Sequence, residues 1–185
     1  TFIAEMLLLN SLIENENSKA IYITPYISLT NEINESLSSL EKLGFALSNM
    51  TKSPEIDEYE NLWVKEADVL IATPEKIDLL YRNEKEFFNN VSIIIVDEGH
   101  IVGDNGKRSV LTELLISKLK MKLTNARFIF VSAMMTDTDT KYLSKWITHK
   151  ENNVLESPKI NGEVWEPTRR LIGYLNYNNN KGRIE

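Results

Sequence analysis

Apolar, β-branched segments alternate along this chain with segments of helical periodicity. Four short segments have the pattern of buried strands, at residues 20–23, 68–72, 91–96 and 127–131. Between them, apolar side chains recur at spacings of three and four, which predicts helices over about 29–43 and about 110–119. Strands separated by helices indicate βαβ units. The pattern therefore predicts an α/β fold, with a mainly parallel sheet flanked by helices.

The carboxyl ends of parallel strands meet at one edge of a sheet, and ligands bind at this edge in such folds. In this sequence the predicted strand ends are followed by Thr24-Pro25, Thr73-Pro74, Asp97 to His100, and Ser132 to Met134. We therefore expect these four segments to lie along one edge, with the strand over 93–96 at the centre of the sheet.

Two adjacent carboxylates, Asp97 and Glu98, follow the most continuous apolar strand. Such a pair is costly near a low dielectric unless its charge is offset, and a divalent cation is the usual partner. One carboxylate can hold Mg²⁺ on nucleotide phosphates while the other positions and deprotonates an attacking water. A solvated turn is the alternative, because Asp, Glu and Gly are common loop residues.

Four motifs, in order, resemble those of the superfamily 2 helicases, the DEAD/DEAH-box group. Asp97-Glu98-Gly99-His100 resembles motif II in its DExH form, residues 24–32 resemble motif Ia, and residues 72–78 resemble motif Ib. Ser132-Ala133-Met134 resembles motif III, with Met where Thr is more usual. Residues 165–169 are similar to the segment leaving the first RecA-like domain in the superkiller-type branch, particularly its large bacterial members. The resemblance implies a RecA-like P-loop NTPase domain.

The same resemblance implies ATP and Mg²⁺ as cofactors and assigns a role to each motif residue. Asp97 would hold Mg²⁺ and Glu98 would activate water, so that both are catalytic residues. His100 would be the third catalytic residue and would link hydrolysis to the rest of the motor. Ser132 and Ala133 would contact the nucleotide site and couple its state to domain closure.

The first residues resemble the end of a Walker A loop and the helix that follows it. Thr1 would be the Thr of that loop and would offer its hydroxyl to Mg²⁺ and the nucleotide, without the preceding Gly and Lys. We therefore expect a first RecA-like domain over 1–170, truncated at its N-terminus. Residues 171–185 would begin a linker toward a second RecA-like domain in cis. On this expectation the full-length parent is an ATP-dependent helicase and the fragment alone is inactive.

The charge of the chain limits how it could hold nucleic acid. With 21 Lys and Arg against 27 Asp and Glu, the net charge of −6 argues against a broad basic field. The resemblance implies instead a sequence-independent grip on the DNA or RNA backbone by motifs Ia and Ib, through Thr24, Pro25, Thr73, Pro74 and Lys76. Thr73 could equally be an ordinary helix N-cap. Lys107 and Arg108 are interpreted as part of a solvated loop, with contact to nucleic acid as the alternative.

Composition excludes several other classes of protein. Apolar residues make up 42% and charged residues 26%, as in a globular domain with a core. The absence of cysteine excludes a disulfide-stapled module and a thiolate zinc site, and no apolar run approaches the roughly 20 residues of a membrane span. We expect a cytoplasmic protein with no membrane partner. Two alternatives stay open: a noncatalytic interaction domain descended from a helicase, and a remodelling motor that translocates without unwinding.

Overall fold

The computed structural model describes residues 2–15, 17–50, 63–104, 106–135, 137–148, 175–178 and 181–184. The chain divides into two compact units, Thr1–Lys150 and Glu151–Glu185. The first unit contains the sheet and all of the described helices.

Five parallel strands form the sheet of the first unit. They are β1 Lys19–Ile23, β2 Leu47–Met50, β3 Val69–Ala72, β4 Val91–Val96 and β5 Arg127–Phe130. Their order is β2-β3-β1-β4-β5, and each described pair of neighbours is parallel. The four predicted strands and the predicted α/β fold class are therefore confirmed.

Five longer α-helices precede, connect or follow these strands, besides a short helical segment over 63–66. They are α1 Phe2–Glu14, α2 Ile27–Leu37, α3 Pro74–Asn83, α4 Lys107–Lys122 and α5 Asp137–Thr148. The helix predicted over 29–43 is α-helical to Leu37 and continues as a 3-10 helix over Ser38–Leu43. Gly44 then ends it in the left-handed conformation, with φ 93°. None of the described helices is long and apolar enough to cross a membrane.

Helices cover both faces of the sheet, which explains the apolar strands. On one face, α1 and α2 bury side chains such as Leu8 and Ile33 against alternate strand residues. On the other face, α3 and α4 bury side chains such as Leu80 and Ile116. Because neither face is wet, successive positions of β4 must be apolar, and Ile93–Val96 is accordingly buried throughout.

The prediction for the central strand was wrong by one position. β1, rather than β4, is the middle of the five described strands. The sequence pattern does not predict β2. Without β2 the sheet would have four strands, with its centre between β1 and β4; with β2 added beyond β3, the middle strand is β1. β4 still lies inside the sheet, with β1 on one side and β5 on the other.

In the second unit, the described residues form an antiparallel pair of strands, β6 Leu175–Asn178 and β7 Lys181–Ile184. The segment 165–169, which resembles the end of a RecA-like domain, lies outside the described residues. The predicted division into a domain over 1–170 and a linker over 171–185 stays a prediction.

Candidate functional site

The predicted motif segments follow four neighbouring strands at a single edge of the sheet. Backbone hydrogen bonds continue past the strand ends: the Asp97 N–H donates to the Ile23 carbonyl at 2.8 Å, and the Thr24 N–H donates to the Ala72 carbonyl at 3.1 Å. All of these strands are parallel, so their carboxyl ends coincide. A shared edge is therefore confirmed for Asp97, Ser132, Thr24 and Thr73.

Asp97 directly follows Val96, the last residue of β4, and is half-buried. One of its carboxylate oxygens, Oδ1, accepts the Glu98 N–H at 2.9 Å. Burial raises the pKa of Asp97 and the neighbouring Glu98 carboxylate raises it further, although the hydrogen bond from the Glu98 N–H acts in the opposite direction. Among the ion pairs of the described residues, none involves Asp97. A bound cation would supply the missing opposite charge.

The hydroxyl of Tyr22 is buried next to this carboxylate. Tyr22 lies in β1 with 0% of its surface exposed, and its hydroxyl has no hydrogen-bond partner of good geometry within the described residues. Burial raises the pKa of Tyr22, and the nearby carboxylates of Asp97 and Glu5 add to the shift. The hydroxyl also interacts with the Asp97 carboxylate, which acts to lower the pKa of Asp97. Its place beside a half-buried carboxylate is the arrangement expected where a hydrated cation binds.

These residues fit Mg²⁺ as the cation. Mg²⁺ is usually held by one or two carboxylates together with phosphates and water, rather than by a cage of protein ligands. Asp97 provides one carboxylate, and the described residues contain no cluster of three or more Asp, Glu, His or Cys that could form a cage. Thr1, the other predicted ligand of Mg²⁺, lies outside the described residues.

Glu98 and His100 connect the turn after β4 to the segment after β5. His100 Nδ1 is 3.2 Å from Glu98 Oε2 and 3.0 Å from Ser132 Oγ. The Ser132 hydroxyl also accepts the Met134 N–H at 3.1 Å. Both neighbours face the same ring nitrogen: Nδ1 donates a hydrogen bond when it carries the proton, and otherwise it accepts one from the Ser132 hydroxyl. One side chain thus touches both the motif II and the motif III segments, while Ala133 is exposed beside them.

Gly99 allows these two segments to approach closely. A Cβ at this position would lie 3.0 Å from Phe130 Cβ and 3.2 Å from Met135 Cε, which is too close for ordinary packing. The Gly99 N–H donates to the Val131 carbonyl at 2.8 Å. A larger residue would push the turn containing Glu98 away from β5.

The five residues predicted to hold nucleic acid are all buried: Thr24, Pro25, Thr73, Pro74 and Lys76. The Thr24 hydroxyl donates to the Tyr26 carbonyl at 3.2 Å. Thr73 is the N-cap of α3, but its hydroxyl makes no capping hydrogen bond with the described residues. Lys76, which we expected to project from the surface, is only 9% exposed. The exposed side chains next to these residues are those of Tyr26, Ile27 and Glu75.

Sequence reasoning missed three side chains at this edge. Tyr22 carries a weak signal, since it is the one aromatic residue in the strand segment 20–23. Tyr26 is an exposed aromatic residue directly after the strand-end Pro25. Arg108 was assigned with Lys107 to a loop, and this was wrong: both belong to the first turn of α4. The reason is that α4 begins immediately after Gly106, without an acidic or hydroxyl N-cap that would have marked its start.

Comparison with known proteins decides the family. The sequence profile of the DEAD/DEAH box helicases matches residues 1–142. The chain belongs to the DEAD/DEAH box helicase family. The family predicted from the four motifs is therefore confirmed, whereas the roles assigned to individual residues stay predictions.

Two relatives show how far the similarity extends. The Hachiman protein HamB of Bacillus cereus is 32% identical over 187 residues, which cover 100% of this chain and 16% of that protein. The ATP-dependent DNA helicase Hel308 of Pyrococcus horikoshii is 31% identical over 152 residues, which cover 81% of this chain and 20% of that protein. The chain thus spans 20% or less of the length of these two relatives.

A solved helicase structure shares the fold. The crystal structure of the DUF1998 helicase MrfA matches with a TM-score of 0.64 at 21% identity, over 81% of this chain and 25% of that chain. Together with the family match, this similarity confirms the RecA-like helicase fold.

Proposed function

We propose that the protein containing this chain couples hydrolysis of Mg-ATP to movement along, or unwinding of, DNA or RNA. The observation that carries the proposal is the contact of His100 with both Glu98 and Ser132, directly beside Asp97. The relative Hel308, named an ATP-dependent DNA helicase, supports a nucleotide-driven activity on nucleic acid. A second RecA-like domain in cis would close the nucleotide site over this edge.

Each residue of the edge has a distinct task in this proposal. Bound Mg²⁺ would neutralise charge on the nucleotide phosphates. Asp97 would hold the ion, and the Tyr22 hydroxyl orients that carboxylate. Glu98 accepts a proton from the attacking water. His100 holds the Glu98 carboxylate and transmits to it any movement of Ser132.

Nucleic acid contact is proposed to use backbone groups of motifs Ia and Ib. The predicted side chains Thr24, Pro25, Thr73, Pro74 and Lys76 are buried, but they precede or begin α2 and α3. N–H groups at helix starts have no partner within the helix and favour phosphate oxygens. Such contacts read no bases, as a motor that moves along any sequence requires.

Substitution of Glu98 by Gln in the full-length protein tests this proposal. Glutamine keeps the size of the side chain but accepts no proton, so steady-state ATP turnover should fall by about 10² to 10⁴. Nucleotide and nucleic acid should still bind, because neither contact needs the proton acceptor. Asp97→Asn is the matched variant. It should also weaken Mg²⁺-dependent nucleotide affinity, since it removes the charge that faces the ion.

Near-normal turnover of Glu98→Gln would contradict the assigned roles and favour a noncatalytic interaction domain. A strand-displacement assay with the wild-type protein separates the two kinds of motor. ATP hydrolysis without displacement of the complementary strand would indicate a remodelling translocase rather than an unwinding helicase.

A further inference from the structure

Arg108 lies where three helices begin. It belongs to the first turn of α4, and its guanidinium carbon is 5.1 Å from the centroid of the Tyr26 ring. Its Nε is 3.3 Å from Glu75 Oε1. Tyr26 is the N-cap residue of α2 and Glu75 is in the first turn of α3. One guanidinium therefore meets the starts of α2 and α3, the helices that follow motifs Ia and Ib.

These two contacts orient the guanidinium and leave its outer nitrogens available. Glu75 occupies Nε and Tyr26 covers one face of the group. Within the described residues, Nη1 and Nη2 donate no hydrogen bond. The Arg108 side chain is 45% exposed and Tyr26 is 50% exposed. The two outer nitrogens of a guanidinium held in this way can donate two parallel hydrogen bonds to the oxygens of a phosphate group.

The charge at the start of α4 points to the same class of ligand. Helix N-termini carry a partial positive charge and favour acidic residues. α4 begins instead with Lys107 and Arg108, and its first turn, which is fully described, contains no acidic residue. Its N-cap residue is Gly106, which has no side chain that could accept a hydrogen bond from the N–H groups of the helix start. An anion bound in front of α4 would offset the repulsion among these positive groups.

Glu75 weakens the contact that Arg108 could make to a phosphate group. Its carboxylate cancels part of the Arg108 charge, so a phosphate would be held less tightly than by an unpaired arginine. A contact that breaks readily suits a protein that must release one phosphate and take the next. It also fits a chain with a net charge of −6, which has no excess of positive charge to hold nucleic acid by a general field.

We infer that Arg108 is a further contact to a backbone phosphate of the bound strand, held in position by Tyr26 and Glu75. The inference rests on the proposed function, and it extends the nucleic-acid surface from motifs Ia and Ib to the first turn of α4. Arg108 makes the contact through its outer nitrogens. Tyr26 is a positioning residue, since its ring supports the guanidinium.

The test measures binding of the full-length protein that contains this chain to fluorescent single strands of DNA and RNA by anisotropy, from about 50 to about 200 mM KCl. We expect Arg108→Ala to weaken binding about five- to tenfold for both strands, and to reduce the slope of log affinity against log salt by about one. Arg108→Lys keeps the charge but not the fork. It should restore the slope while recovering only part of the affinity.

Arg127→Ala is the matched control. Arg127 is also an exposed arginine paired with a carboxylate, at 3.5 Å from Glu14. It begins β5 and therefore lies at the opposite edge of the sheet. Its loss should leave the affinity and the salt slope unchanged. Thermal unfolding of every variant, followed by circular dichroism, tests whether the fold is retained.

The outcomes separate the inference from the proposed function. If the wild-type full-length protein binds and Arg108→Ala, still folded, binds with the same affinity and slope, the inference is wrong while the proposed function stands. If the wild-type full-length protein binds neither strand, both fail. Inorganic phosphate, added at constant ionic strength, should compete no better than chloride. Specific displacement by phosphate would overturn the assignment to the nucleic-acid backbone and indicate a site for a free anion.

Discussion

At the scale of single residues, Glu98 combines backbone strain with chemistry. Its φ of 51° and ψ of 44° place it in the left-handed region, which costs an L-residue about 1 to 2 kcal/mol. Hydrogen bonds on both sides hold it there: its own N–H donates to Asp97 Oδ1, and its carbonyl accepts the Ile101 N–H at 2.9 Å. Glu98 is thus held in an unfavourable backbone conformation beside His100, which supports a functional role for its carboxylate.

Two substitutions at this position should differ in stability although both remove the carboxylate. Glycine adopts the left-handed region without strain, whereas alanine does not. We therefore expect Glu98→Gly to be more stable than Glu98→Ala by about 1 kcal/mol. Urea unfolding of the two variants of this chain measures the difference. Equal stability would mean that the turn relaxes in solution and that Glu98 is not strained.

At the scale of elements, Asp78 joins α3 to α4. Its Oδ1 accepts a hydrogen bond from Lys118 Nζ of α4 at 2.8 Å, and its Oδ2 accepts one from Arg82 of its own helix. Partial burial acts to raise the pKa of Asp78, but the hydrogen bonds and charges of Lys118 and Arg82 outweigh it, so that the pKa is lowered. The pair of Asp78 and Lys118 joins the middle of α3 to the C-terminal part of α4.

Substitution of Asp78 by Asn should lower the free energy of unfolding by about 1 kcal/mol near neutral pH. A carboxyl whose pKa is lower in the folded state contributes stability above its unfolded pKa and loses it as the pH falls through the folded pKa. The difference in free energy of unfolding between wild type and Asp78→Asn should therefore decrease as the pH falls from about 5 to about 2. Urea unfolding across this range measures it.

Glu14→Gln is the control for Asp78→Asn. Glu14 pairs with Arg127 at 3.5 Å, and both side chains are more than half exposed, at 51% and 58%. Solvent screens such a pair, so its loss should change stability by less than about 0.5 kcal/mol. If the free energies of unfolding of wild type and Asp78→Asn differ by the same amount down to acid pH, Asp78 acts through packing and not through charge.

At the scale of the whole molecule, the first unit contains its own core. Every residue described in the two buried apolar clusters lies between Ala4 and Ile147. The clusters fill opposite faces of the one five-stranded sheet. Within the described residues, the stability of the sheet therefore derives from residues before Glu151.

A chain that ends at Lys150 should fold by itself. Because the core is retained, its thermal unfolding midpoint should lie within about 4 °C of that of the 185-residue chain. Differential scanning calorimetry of both chains gives the comparison. A much lower midpoint would show that residues 151–170 belong to the folding unit, as the domain predicted over 1–170 requires.

The strands and the shared edge followed from the sequence by itself. A parallel sheet covered on both faces demands continuous apolar strands, and the segment 91–96 has this pattern. Once the strands are parallel, their carboxyl ends coincide, so the motif residues after them had to meet. β2 escaped prediction because its sequence, Leu-Ser-Asn-Met, has two adjacent polar residues at its centre and spans only four positions. Asn49 in β2 is accommodated by a hydrogen bond at 3.1 Å to Asn31 of α2.

The tertiary structure alone decided which side chains at this edge are available. Thr24 and Lys76 look like surface residues in the sequence, but both are buried in the structure. His100 and Ser132 are 32 positions apart, and Arg108 is 33 positions from Glu75. Neither contact has a local signal, because each depends on how turns and helices from separate βαβ units pack above the sheet. Periodicity reports the face that a residue occupies, whereas packing determines its partner.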